Sequence, residues 1–514
     1  MNKLKIRRAL VSVYDKTNIE LLIPYFEKYD IKVFSTGGTY KFLKKTSPRL
    51  NLFEISNLTD FPEILDGRVK TLHPIVHAGI LADKNNKKHN LQLQELKIEP
   101  FDLVIVNLYP FENAISKKQN TFEECIEFID IGGPSMMRAA AKNFKNIAVI
   151  SHKDQINQFL ESCYKSNNLI DLDSRRIMAA EAFKISAFYE GTISSWFNKQ
   201  EKVAFQDLIS LPLRKYKDLK YGENPHQKAS IYQLSNNSLK QVSGKEISYN
   251  NINDIDVAIE LAFEFDNQSC VIVKHGNPCG VSVSDKQENA YKRALKSDPV
   301  SAFGGIVAFN NELQLSAAKL LKNIFTEVVI APKISDDAKS CLSSKKKLIL
   351  IEYRSKKQEN GLHYKSTKNF LLIQEYNSKL INKKNLKIVT KKKPSAETME
   401  DLLFAFTVCK YVNSNAIVIA KDRMVTGIGV GQTNRLDSTK HAINHSLKNF
   451  KKKKGIVLAS DGFFPFPDII KICFDSGIRA IIQPGGSIND KAIILEADKL
   501  GITVIFTGIR HFKH

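Results

Sequence analysis

The chain has 514 residues, of which 76 are Lys or Arg against 54 Asp or Glu, for a net charge of +22, and 43% are hydrophobic. That length exceeds what one growing core accommodates and predicts about two to four domains, while the composition excludes a disordered or collagen-like chain. No apolar run reaches the roughly 18 residues of a spanning helix, and the opening MNKLKIRRALVSVYDK has too short an apolar stretch for a signal peptide, so the reading is a cytoplasmic protein without membrane contact.

From residue 8 to about 152, strand-like runs (RALVSV, IKVFST, LVIVNLYPF, NIAVISH) alternate with helix-like stretches, the pattern of a mostly parallel α/β sheet. STGGT at 35–39 follows the second run and opens a helix. Its glycines let the backbone approach a ligand, and the amides and hydroxyls of a helix start suit a phosphate, although a capped glycine turn reads the same way. In DGRVKTLHP at 66–74, Arg68 and Lys70 share one face of an extended chain and can meet one anion, with solvated charges as the bland reading. In DIGGPSMMRAAAKN at 130–143, Asp130 precedes a Gly-Gly-Pro turn, and Arg138 and Lys142 share a helix face. Residues 174–197 read as one amphipathic helix, and the polar NKQEK at 198–202 after it sets a boundary near residue 200.

Beyond residue 200 the chain again mixes strands (SCVIVKH, AIVIAKD, GIVLASD, AIIQPGG, TVIFTGIRHF) with helices and has room for two subdomains; no short-period repeat is visible. VKHGNPCG at 273–280 delivers Lys274 and His275 together from a strand, with Gly-Asn-Pro read as the turn. KYGENPHQ, DPVSAFGG, SDGFFPFPD, QPGGSINDK and the terminal RHFKH also bring polar, glycine and aromatic residues to strand ends, where α/β proteins place ligands. A strand-end histidine is more often structural than catalytic; an adjacent Lys-His pair shifts that balance.

The basic excess sits mostly in lysine runs (345–347, 391–393, 451–454) without interleaved aromatics or a nucleic-acid motif. It therefore reads as solvated loops and a field that steers small anions, not as a nucleic-acid surface. The seven cysteines (Cys125, Cys163, Cys270, Cys279, Cys341, Cys409, Cys473) are never spaced CxxC, which points to reduced thiols and no zinc. A deaminase zinc centre fails at this stretch: Asn277 stands where HxE needs Glu, and Ser282 where PCxxC needs its second Cys.

These motifs, in this order from SVYDKT at 12 to RHFKH, resemble the bifunctional AICAR formyltransferase and IMP cyclohydrolase family of purine biosynthesis over essentially the whole chain. The resemblance implies residues 1–200 as a methylglyoxal-synthase-like cyclohydrolase domain. It implies residues 201–514 as a formyltransferase domain of two cytidine-deaminase-like subdomains without a catalytic metal. AICAR, formyl-AICAR and IMP are the implied ligands, 10-formyltetrahydrofolate the cosubstrate, and a homodimer the assembly. For ring closure it places Ser12, Lys16, Ser35, Gly37, Gly38, Thr39, Arg68 and Thr71 around the nucleotide, with Lys70, Tyr109, Asp130 and Lys142 nearest the chemistry. For formyl transfer it makes His275 the base and Lys274 its electrostatic partner. Lys220, Tyr221, Asn251, Arg510 and His514 hold AICAR, Phe303, Gly304 and Glu327 also bind substrate, and Asn415, Arg435, Phe463, Asp468 and the loop 485–487 surround the folate or the reacting centre. Two positions depart from the family pattern: Tyr14 where SVSDK has Ser, and Lys220 where arginine is expected, which loses a bidentate fork.

Overall fold

The protein is described by a computed structural model covering residues 3–201, 205–234, 239–353, 361–379, 381, 383–450 and 455–514, apart from the Asp66 side chain. The lysine run 451–454 and the last residue of NKQEK lie outside the described residues. The chain divides into two compact units, Met1–Arg214 and Lys215–His514.

The first unit is built on five parallel strands in the spatial order Leu52–Glu54, Lys32–Ser35, Arg8–Ser12, Leu103–Val106, Ala148–Ile150. The central strands are buried on both faces, with Leu10, Val33 and Val104 fully enclosed, as expected when helices cover both sides of a parallel sheet. The order reverses at Arg8–Ser12, so the carboxyl ends of this strand and its neighbours open a crevice of the kind in which α/β sheets bind ligands.

The long helix runs Leu172–Glu201, through most of NKQEK, and residues 205–214 then pack back on it. Ser195 donates to the Ser210 carbonyl at 3.0 Å, and the Arg214 guanidinium stacks 4.8 Å from the Phe188 ring. The division between compact units therefore falls later than the boundary read near residue 200. Polarity that reads as a linker is the solvated last turn of a helix.

The second unit carries one twelve-stranded sheet assembled from two like halves. The first half runs helix Tyr249–Ala262, strands Gln268–Lys274 and Asn277–Ser284, helix Gln287–Ser297, then strands Ile306–Phe309, Val328–Ala331 and Ile349–Tyr353 alternating with helices Leu315–Leu321 and Asp336–Leu342. The second half repeats that order from helix Ala396–Cys409 through strands Ile417–Lys421 and Met424–Gly429 and helix Arg435–Asn449 to strand Thr503–Phe506. Ser282 and Met424 pair antiparallel across the join, and one core containing Ile255, Leu261, Leu402 and Phe406 spans both halves. Gly280 and Gly427 occupy matching places. A Cβ on either would lie 2.1 or 2.2 Å from a helix carbonyl, that of Ala294 or Ala442, so only glycine admits the close approach of helix to strand.

No described helix is long and apolar enough to cross a membrane.

Candidate active sites

In the first unit the crevice gathers most of the residues singled out above. The Ser12 and Thr36 hydroxyls meet at 3.0 Å at adjacent strand ends. The Thr39 hydroxyl donates to the Val13 carbonyl at 2.9 Å, and Ser35 donates to Val11 at 2.8 Å, so these two hydroxyls shape the turn. No side chain caps the helix Gly37–Thr46, and a Cβ at Gly38 would meet nothing within 4 Å. The first-turn amides thus present the positive end of a helix dipole to the crevice.

Opposite them, Asp130 accepts the Gly133 N–H at 2.8 Å. Burial pushes its pKa above the usual carboxylate range, against the pull of the Gly133 and Tyr109 backbone N–H groups and the Lys70 ammonium. Burial outweighs three interactions that favour the anion, so this carboxyl takes a proton more readily than an exposed one. Tyr14, in place of the expected serine, donates its N–H to Asn107 at 2.7 Å and sets its ring 5.3 Å from that of Tyr109. The Lys16 ammonium turns back to the Tyr14 carbonyl at 3.3 Å.

Three expectations are corrected here. Residues 66–70 are not extended, because a 3-10 turn spans Leu65–Gly67 and Gly67 has φ +90°. Arg68 and Lys70 consequently diverge, Arg68 pairing outward with Glu127 and Lys70 lying 3.8 Å from Glu63. Glu63, which sequence reasoning passed over, also lies beside Gly37 and Gly67. Finally, Lys142 ends the 11-residue helix Gly132–Lys142 that Asp130 precedes, which separates the two by about 16 Å within one chain. Lys142 instead lines a hollow of about 780 Å³ with His77, Arg138 and Arg176.

In the second unit the turn after Gln268–Lys274 is His275-Gly276 alone, since strand pairing resumes at Asn277 opposite Lys274. Gly-Asn-Pro is not the turn. His275 and Gly276 have φ +55° and +72°, as a two-residue hairpin of type I′ demands. A histidine there stores roughly 1–3 kcal/mol of strain, which the surroundings must overcome. Asp254 does so from the preceding helix, accepting the His275 N–H at 3.0 Å and the Gly276 N–H at 2.5 Å. Pro278 is admitted to the next strand at a register shift. The imidazole is exposed, and Lys274 donates to the Phe303 carbonyl at 2.8 Å, placing Phe303 and Gly304 beside the pair.

Asn250 ties the 221–227 loop to its helix through the Glu223 carbonyl at 3.3 Å; Lys220 is exposed. Asn251 is engaged in a capping box with Ser248, and Glu327 pairs with Lys245. On the other side Asn277 accepts the Asn413 N–H at 2.9 Å. Ser414 donates to Asp461 at 2.5 Å, and Asp461 holds Arg435 at 2.5 Å. Arg435 is only 7% exposed and also donates to the Ser460 hydroxyl and the Asn415 side-chain Oδ1, both at 2.8 Å. Its guanidinium is thus paired with Asp461 inside the protein and also orients Asn415. Phe463 and Phe466 are exposed whereas Phe464 is buried. Asn489 clips this loop to the Gly485–Ser487 loop through the Pro465 carbonyl at 2.6 Å. Asp468 stands exposed at the start of the next helix, Arg510 lies 4.3 Å over the Phe512 ring, and the His514 ring lies 5.9 Å from Phe512.

The second unit thus offers an exposed imidazole beside an ammonium and, on its other half, exposed aromatics and glycine loops, and the first unit an anion-receptive crevice with a desolvated carboxyl. Among the described residues no group of three or more His, Cys, Asp or Glu is gathered as for a metal ion.

Comparison with known proteins agrees along the whole length. Residues 140–445 match the model of the AICARFT/IMPCHase bienzyme family, and residues 19–135 that of the MGS-like domain. The bifunctional purine biosynthesis protein PurH of Caldicellulosiruptor saccharolyticus is 47% identical over 99% of this chain and 100% of its own. The proteins of the same name from a Thermoanaerobacter species and from Clostridium botulinum are 46% and 44% identical with the same coverage.

Proposed function

The chain belongs to the AICARFT/IMPCHase bienzyme family and is a bifunctional enzyme of purine biosynthesis, an AICAR formyltransferase and IMP cyclohydrolase, and we propose that its second unit carries the transfer at His275 and its first unit the ring closure at Asp130.

The 5-amino group of AICAR is a weak nucleophile because its lone pair is delocalised. As its nitrogen attacks the formyl carbon of 10-formyltetrahydrofolate, His275 accepts the amine proton. The tetrahedral oxyanion forms near the Lys274 ammonium, and collapse returns a proton to the folate nitrogen as its bond to the formyl carbon breaks. What carries this reading is the His275 turn: a strained residue, clamped by Asp254, presents an open imidazole next to a lysine. Exposed Phe463 and Phe466 beside the Gly485–Ser487 loop suit a flat pterin. AICAR lies against Tyr221, Asn251, Phe303 and Gly304, with Lys220, Glu327, Arg510 and His514 at its rim.

In the first unit the phosphate of formyl-AICAR meets the amides at Gly37 and Gly38 with Ser12, Ser35 and Thr39 around it. Lys16, Arg68 and Thr71 sit at the edge. Enclosure does most of the work, because the carboxamide nitrogen attacks a formyl group of the same molecule. Asp130 takes the amide proton, Lys70 and Tyr109 face the developing oxyanion, and water leaves. Lys142 joins this chemistry only where a second copy of the chain brings it to Asp130, in keeping with a homodimer working in the cytoplasm.

Tetrahydrofolate release from AICAR and 10-formyltetrahydrofolate, and separately IMP formation from supplied formyl-AICAR, measured in Asp130→Asn and His275→Ala, test the assignment. Each variant is expected to lose one product step and keep the other; loss of both from either variant rejects it. Mixed Asp130→Asn and Lys142→Ala chains are expected to recover ring closure, and no recovery removes Lys142 from the site.

A further inference from the structure

The terminal segment after strand Thr503–Phe506 has no regular structure, yet it is held closely. The His511 N–H donates to the Asp461 carbonyl at 3.1 Å, the Ser414 N–H to the Lys513 carbonyl at 2.9 Å, and the Lys513 N–H to the Ser414 hydroxyl at 3.2 Å. From this anchored position the Lys513 side chain crosses to the other half of the unit. Its ammonium donates to the Gly276 carbonyl at 3.4 Å and to the Tyr411 carbonyl at 3.2 Å. Burial lowers the Lys513 pKa, and the carboxylates of Glu260, Asp256 and Asp254 oppose that shift.

The His275 turn is therefore gripped at both kinds of backbone group. Asp254 takes its two N–H groups, Asn277 donates to the His275 carbonyl at 3.2 Å, and Lys513 takes the Gly276 carbonyl. Only the last of these comes from distant sequence. The like turn of the second half, Asp422-Arg423, has its N–H groups on Asp401 and its carbonyls on Arg293 and the Val283 N–H, and the terminal segment takes no part in it.

We propose that Lys513 is a positioning residue for formyl transfer: by pinning the Gly276 carbonyl it fixes the direction of the His275 imidazole and makes that direction depend on docking of the terminal segment. This deepens, and rests on, the reading of His275 as the base. Lys513 lies between Arg510 and His514 and is bonded through Ser414 to the Asp461–Arg435–Asn415 group. A ligand drawn to either side of the cleft thus acts on the same segment that holds the catalytic turn. A residue that aims another group affects turnover more than binding, and a small loss of aim is costly, since displacing a reacting group by about 1 Å can cost about 100-fold.

The test is full-length Lys513→Met and Lys513→Arg beside the parent and His275→Ala. Lys513→Met is expected to lower kcat for formyl transfer by about 10- to 100-fold with both KM values changed less than about threefold. Its ring closure of supplied formyl-AICAR should be unchanged, and Lys513→Arg should restore most of the transfer. Hydrogen exchange of the backbone across 274–277 should quicken in Lys513→Met alone. Parent-like kcat in Lys513→Met, or turn exchange indistinguishable from the parent, overturns the proposal. If Lys513→Met is poorly folded by circular dichroism, Lys513→Arg decides: parent-like exchange and kcat support the clamp, and a loss of kcat with parent-like exchange overturns it. Full transfer by folded His275→Ala would instead reject the base assignment, while the exchange measurement still judges the clamp.

Discussion

The two hairpin turns of the second unit, His275-Gly276 and Asp422-Arg423, are built alike and used differently. Each follows a strand ending in lysine, each has both residues at positive φ, and each is clamped by an aspartate at the sixth position of the helix before it. What separates them is the side chain displayed and the company it meets. The His275-Gly276 turn meets Asn413 through Asn277 and the terminal segment through the Gly276 carbonyl, whereas the backbone of Asp422 and Arg423 is occupied by Arg293 and Val283. A scaffold that strains a residue into the open is therefore a means of display, and chemistry depends on what the partner half brings to it.

The sharpest way to break this comparison is to delete both displayed side chains. His275→Ala is expected to lower formyl transfer by about 10² to 10⁴, the usual weight of a general base, while Asp422→Ala stays within about twofold of the parent. Steady-state rates with both substrates saturating decide it, and equal losses would make the two turns functionally alike.

Removing the clamps should split stability from activity. Asp254→Ala and Asp401→Ala each strand two N–H groups and are expected to cost about 1–3 kcal/mol, seen as similar falls in melting temperature. Only Asp254→Ala should also slow transfer, by about tenfold or more.

A third contrast sets the exposed imidazole against the desolvated carboxyl of the first unit. Asp130 must be ionised to accept a proton, and its pKa is raised by burial and held down in part by Lys70. Lys70→Met removes a downward influence, so the acidic limb of ring closure should move to higher pH and the active range shrink from its acid side. The limb for formyl transfer should not move. Profiles of kcat/KM for the two half-reactions measure both, and a limb that stays put would take Lys70 out of contact with Asp130.

The smallest effect concerns the division between units. Fragments ending at 200 and at 214 are both expected to close the ring, but the longer keeps the packing of 205–214 on the helix. It should melt several degrees higher, at about 2–4 °C per kcal/mol for a domain of this size. Equal melting temperatures would place the division at 200 after all.

Periodicity and strand composition were enough to locate four of the five parallel strands of the first unit, the long helix and the Lys-His pair, because each is a local pattern of burial, whereas the short edge strand Leu52–Glu54 went unread. The MGS-like first domain and the bienzyme family followed from motifs in order. What escaped was set by tertiary partners. Nothing local says that Arg68 turns to Glu127, that Arg435 is spent on Asp461, or that Asp254 bends His275 into a left-handed turn. The two like halves of the second unit were expected from the resemblance, as two subdomains, and not from any visible repeat, since their matching positions preserve geometry, such as Gly280 with Gly427, more than residue type.

The antiparallel join of strands Asn277–Ser284 and Met424–Gly429 through Ser282 and Met424 bears on solubility. Either half alone would present one of these strands as an open edge, with unpaired N–H and C=O groups ready to template aggregation. Within one chain each edge is covered by the other. Chains cut between residues 381 and 396 should therefore precipitate or pair with copies of themselves, and co-expression of the two pieces should restore solubility to both.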